Sequence, residues 1–179
     1  MNDKLRTLIN DCTYEVTDIE RRINLIKEST KNPIDKEIHY LTNYVLIKTE
    51  GTVEFVYRSI VVDYFSEKFK NSKIDEYLKS SIMKGSMSAK YDNMKNLIKK
   101  FDEKWCKNFT QTVEAHHDGQ KMIAASKSLV DNRHAFAHGE NPTVTFQQIK
   151  QYYQDILKLI DIFDSVVNAD SEMENTENS

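Results

Sequence analysis

Leu129-Val130-Asp131-Asn132-Arg133-His134-Ala135-Phe136-Ala137-His138-Gly139 reads as the end of a helix and its stop. A glycine just past the last helical residue adopts the left-handed conformation that closes the final turn. Asn141-Pro142 follows and breaks the chain direction. Upstream, Met122, Ile123, Leu129 and Val130 supply the apolar face of an element over about 119–138. Downstream, Thr145 with Gln148 three residues on is a capping box. From there Ile149, Tyr152, Ile156, Ile160, Phe163 and Val167 recur at helical spacing.

The same period runs through the rest of the chain. Leu5, Ile9, Cys12, Val16, Ile19, Ile23 and Ile26 stripe a helix over 3–30, ended at Asn32-Pro33. A second helix over 34–68 carries Ile38, Leu41, Val45, Thr52, Val56, Ile60 and Tyr64. Gly51 sits inside it, where glycine costs about 1 kcal/mol relative to alanine, so close packing or a kink is expected there. A short helix near 74–83 closes at Lys84-Gly85-Ser86. Another runs from about Met94 through Trp105, with a continuation toward Glu114. Four glycines and two prolines in 179 residues leave too little turn chemistry for a sheet. The expected fold is all-α: an antiparallel bundle of five to six helices. One domain over 1–167 is expected, followed by an acidic, disordered tail over 168–179.

The bulk properties exclude some classes. No apolar run approaches the ~20 residues that span a bilayer, and Met-Asn-Asp-Lys does not begin a secretion signal. A cytoplasmic chain without a membrane partner is expected. Cys12 and Cys106 have neither metal-ligand nor disulfide-framework spacing and read as small core residues. The net charge is −3, which argues against a nucleic-acid partner, but it is unevenly distributed. Residues 161–179 hold six acids and no bases, whereas residues 67–107 hold eleven lysines against six acids. Those lysines are either the solvated faces of helices or a patch for a polyanion.

The helix end is the exception among otherwise ordinary polar positions. Each helical residue turns about 100°, so His134 and His138 share a face while Arg133 and His138 lie about 140° apart. Two copies related by a two-fold axis would each supply one Arg and one His to a shared groove. Metal-independent RNA cleavage needs a base for the 2′-OH, an acid for the departing 5′-oxygen and positive charge on the five-coordinate phosphate. Histidines suit the first two roles and arginines the third. The dipole at a helix C-terminus favours a cationic His138 ring.

Here the sequence resembles a known family. Arg133, the polar His134, three more residues and His138 look like the signature of HEPN domains, closest to the prokaryotic RiboL-PSP and MAE_28990-like HEPN group. That group carries a Gly and a Glu in an early helix, and Gly51-Thr52-Val53-Glu54 fits that place. The similarity covers about residues 34–167. It implies a helical bundle that dimerises face to face, and a metal-independent endoribonuclease of a toxin–antitoxin, abortive-infection or other phage-defence system. It implies catalytic roles for Arg133 and His138, support from His134 and Asn132, and a role for Glu54 in orienting the Arg or holding the dimer. RNA, a second copy, and an antitoxin or other defence-system protein are the implied partners; no cofactor or metal is expected. Some HEPN toxins carry a Tyr two residues after the His that a partner enzyme modifies. Glu140 stands there, so that control is not expected.

Other readings stay open on the residues alone. Arg133 and His138 could simply cap a helix and pair with acids. Some HEPN domains keep the fold without cutting, which leaves a non-catalytic RNA- or nucleotide-binding or partner module as the alternative function. His134 and His138 have the spacing of a helical zinc pair, and His116-His117-Asp118 could add ligands, but Ala135 stands where a metalloprotease has Glu. Tyr40, Tyr44, Tyr57, Tyr64 and Tyr91 read as core or interface residues, or as platforms for bases.

Overall fold

A computed structural model describes residues 1–30, 35–85 and 87–177, with side chains described to 169. Within these, helices form wherever the apolar period is long. They are α1 Asp3–Thr30, α2 Lys36–Phe69, α3 Ser72–Leu78, α4 Tyr91–Lys99, α5 Glu103–Ala115, α6 Gly119–Ala137 and α7 Phe146–Glu177. A π-helical turn, Lys79–Met83, prolongs α3. No strand occurs among the described residues. The expected breaks at Asn32-Pro33 and Ser86 lie outside them.

α2 is the central helix and packs against α1, α6 and α7, while α7 also packs against α5 and α6. Its burial follows from that position. Leu46, Val53, Tyr57 and Ile60 face one side, and Val45, Val56 and Val61 broaden the apolar surface. Tyr57 and Phe109 each pack edge-on to Phe163, with ring centroids 5.9 and 5.4 Å away, so α2, α5 and α7 meet there. Cys12 is a free, fully buried core residue and Cys106 is half-buried. Among the described residues, no helix is long and apolar enough to cross a membrane.

Among the described residues, seven α-helices stand where five to six were expected. The stretch read as one element from Met94 onward is two, because Asp102 interrupts it. Asp102 has an extended backbone (φ −151°), and its carboxylate accepts from the Lys104 amide at 2.6 Å, capping α5. Gly51 also differs from expectation: it is exposed, and a Cβ there would meet nothing within 4 Å. Close packing within one chain is therefore not why glycine stands at this position. The backbone of α7 is helical on both sides of the expected domain boundary after residue 167, running to Glu177. Its start has the expected box: the Thr145 amide donates to Gln148 Oε1 at 2.9 Å, and the Gln148 amide donates to Thr145 Oγ1 at 3.3 Å.

Candidate functional site

α6 is seated by its two ends. At the start, a Cβ on Gly119 would lie 2.0 Å from the Val113 carbonyl, so only glycine lets the chain turn this tightly from α5 into α6. Met122, Ala125, Ser126, Leu129 and Val130 then face the core. At the finish, Gly139 has φ +81°, its amide donates to Phe136 O at 3.1 Å, and the Glu140 amide donates to Ala135 O at 2.9 Å. These two bonds make a Schellman close, which satisfies carbonyls that a helix end leaves unpaired. His138 is the cap residue itself.

This geometry opens the end of α6 to solvent. His134 and His138 are exposed, and Asn132 and Arg133 are half-buried. Asn132 donates back to Ser128 O at 2.8 Å, so its amide is engaged with its own helix. Asp131 is clamped between Lys90 at 2.7 Å and Lys127 at 2.6 Å, tying the start of α4 to α6. The Lys127 hydrogen bond, then that of Lys90, holds the Asp131 carboxyl below its ordinary value.

Arg133 turns toward α2. Its Nε lies 3.6 Å from Oε2 of Glu50, an ion pair too long for a hydrogen bond. Glu50 is 2% exposed, and its other oxygen accepts from the Ala89 amide at 3.3 Å. A charge buried so completely requires a counter-charge, which the half-exposed Arg133 supplies. Glu54, one turn along α2, pairs with Arg58 instead. Arg58 in turn donates to Ile82 O at 2.8 Å and Gly85 O at 2.7 Å. Burial, then the nearby Glu50 charge, pushes the Glu54 carboxyl up, against the pull of Arg58 and Arg133.

Glu50 is the site residue that the motif does not reveal. Its signal is nevertheless in the sequence: Leu46, Glu50, Val53 and Tyr57 follow helical spacing on the buried face of α2, and only one of them is charged. A carboxylate in an apolar stripe demands a partner.

The histidines separate into two groups. His116, His117 and Asp118 place one ligand atom each within 4.8 Å of one another at the start of α6. Lys158 already sits 2.6 Å from the Asp118 carboxylate, and His116 Nδ1 accepts from the Asp118 amide at 3.0 Å. At 1.5 Å per residue, α6 holds this cluster roughly 24 Å or more from His134 and His138. The two groups therefore cannot share one metal ion. Of the five tyrosines, Tyr57, Tyr64 and Tyr91 are buried, while Tyr40 and Tyr44 remain exposed.

Comparison with known proteins agrees with the all-α architecture. No curated protein and no solved structure matches the chain. The family model described as RiboL-PSP-HEPN matches residues 10–169, which takes in most of α1, all of α2 to α6 and most of α7. The chain belongs to the RiboL-PSP-HEPN family.

Proposed function

We propose that the protein is a metal-independent endoribonuclease that works as a homodimer, in the role of a toxin or phage-defence effector. One observation carries this reading: a half-exposed Arg133, held on the buried Glu50 carboxylate, stands beside exposed His134 and His138 at the open end of α6. A fixed guanidinium is a preorganised site for the charge of a five-coordinate phosphate.

In the reaction, one histidine takes the proton from the ribose 2′-OH. The 2′-oxygen attacks the adjacent phosphorus, and the bond to the 5′-oxygen breaks. A second histidine protonates that leaving oxygen. The products are a 2′,3′-cyclic phosphate and a 5′-hydroxyl. His138 of two copies serves as acid and base, Arg133 of each clamps the phosphate, and His134 and Asn132 support the site.

The second copy has a surface available. Tyr40, Tyr44, Ile47 and Phe55 are large exposed apolar residues, and they fall with Gly51 on one stripe of α2. Glu50 and Glu54 border that stripe, so a copy that covers it lies alongside Arg133.

The test is RNA cleavage in EDTA, with analysis of the ends. Wild type should yield 2′,3′-cyclic phosphate ends, and both Arg133→Ala and His138→Ala should abolish them. His138 is exposed, so its loss leaves the core intact. Wild-type protein that binds RNA but leaves every substrate uncut would instead make this a non-catalytic RNA- or nucleotide-binding or partner module.

A further inference from the structure

A second feature of the molecule suits the same substrate and lies away from Arg133. The C-terminus of α2 and the elbow between α4 and α5 meet through aromatic rings. Phe65 stacks parallel to Phe69 with centroids 5.8 Å apart, lies 4.6 Å from Phe101 and lies 5.9 Å from Trp105. Trp105 is buried, but Phe69 is 50% exposed and Phe101 38% exposed, so two of these rings reach solvent.

Lysines surround these rings. Lys70 follows Phe69, Lys99 and Lys100 precede Phe101, and Lys104 and Lys107 lie on the first turns of α5. Lys99, Lys104 and Lys107, with Glu103, Thr110 and Gln111, line an open groove of about 510 Å³. Several other lysines, Lys48, Lys90, Lys121, Lys127, Lys150 and Lys158, each sit against a carboxylate. Among the described residues, Lys99, Lys100, Lys104 and Lys107 have no such partner. Asp102 accepts from the Lys104 backbone instead, which leaves three lysines against one acid, Glu103, along the groove. Four lysines without an ion-pair partner thus fall at one elbow of a chain whose net charge is negative.

We infer that this elbow binds single-stranded RNA, with bases stacked on Phe69 and Phe101 and phosphates on Lys99, Lys104 and Lys107. Exposed rings interleaved with unpaired cations suit a flexible strand whose bases are free to stack. The assignment extends the ribonuclease reading by stating where the substrate strand lies. Lys90 pairs with Asp131, two residues before Arg133, and α4 leads from Lys90 to Lys99 over roughly 13 Å. A strand cut at Arg133 would therefore reach the elbow along α4.

The experiment is fluorescence anisotropy of a labelled oligoribonucleotide, titrated at several salt concentrations on the full chain carrying His138→Ala, so that binding is read without cleavage. The triple variant Lys99→Gln/Lys104→Gln/Lys107→Gln should weaken binding at least tenfold and flatten the log–log salt slope by about 2, at ~0.7 per phosphate contact on a single strand. Phe69→Ala should weaken binding at least about fivefold and leave the slope unchanged. Circular dichroism verifies that each variant is folded. Unchanged affinity and slope in the triple variant overturn the proposal, as does binding to anionic lipid vesicles with none to RNA. RNA binding that depends on these lysines, in a wild type that cuts no RNA, keeps this proposal and removes the ribonuclease reading.

Discussion

Arg133 and Glu50 meet across the α2–α6 interface, Nε to Oε2 at 3.6 Å, with the Glu50 side chain 2% exposed and that of Arg133 40% exposed. The carboxylate is held from behind by the Ala89 amide. Orientation thus runs outward, from a fixed buried anion to a cation at the surface.

Glu50→Gln keeps the shape and the acceptor for Ala89 but removes the charge facing Arg133. If Glu50 positions the guanidinium, kcat for RNA cleavage should fall about 10- to 100-fold, the scale on which small misplacements act. KM should change little. Glu50→Asp should recover part of the rate. Equal losses in kcat for Gln and Asp variants that remain folded would argue against a positioning role.

Gly139 closes α6 at φ +81°, with open space where a Cβ would lie. Gly139→Ala therefore tests backbone strain without a clash. It should destabilise the fold by roughly 1–2 kcal/mol, measured by urea denaturation. Cleavage should also drop, because His138 is the cap residue that this turn positions.

Gly51 lies in open space on the exposed stripe of α2. Gly51→Ala should stabilise the protein by about 1 kcal/mol at concentrations where it is monomeric. Thermal denaturation should show a higher Tm, and a lower one would mean that this part of α2 is not an unobstructed helix.

Ile47 and Phe55 flank Gly51 at one-turn spacing, both exposed. Ile47→Glu/Phe55→Glu should shift sedimentation from dimer to monomer while the circular dichroism spectrum stays helical. On the shared-site reading, cleavage should fall together with dimer content. A variant that remains dimeric would exclude this stripe as the pairing surface.

Asp131 is held low by Lys127 and Lys90. A carboxyl depressed in the folded state stabilises fully above its ordinary value of 3.8, and that contribution fades as pH falls through the lower folded value. Asp131→Asn should therefore be less stable than wild type at pH 7, and the difference should vanish in strong acid. Chemical denaturation at both pH values measures this.

Much of the local structure is written in consecutive residues. Gly139 stops α6 because only glycine enters the left-handed region without cost, and Thr145 and Gln148 start α7 because their side chains reach each other's amides. Asp102 carried an equally local signal, an acidic cap before Glu103, but the apolar spacing from Met94 to Trp105 overrode it and merged two helices into one. Arg133 and His138 were legible for the same reason, since their spacing and their place before a stop are properties of one helix.

Glu50 is of another kind. Its stripe shows that it is a charge on an apolar face, but sequence alone does not say which cation answers it. Arg58 on its own helix was as available as Arg133, and the motif pointed to Glu54. Only the packing of α6 against α2 pairs Glu50 with Arg133, and only the π-helical turn after α3 draws Arg58 away to Ile82 and Gly85. Likewise, Tyr40, Tyr44, Tyr57, Tyr64 and Tyr91 share one chemistry, and the packing of neighbouring helices is what buries three of them and leaves Tyr40 and Tyr44 outside. The sequence determined the helices, their caps and the Arg–His pair, because these depend on neighbours within one or two turns. The tertiary structure decided which buried charge steers that pair and which surfaces stay open, because those depend on residues that meet only after the chain has packed.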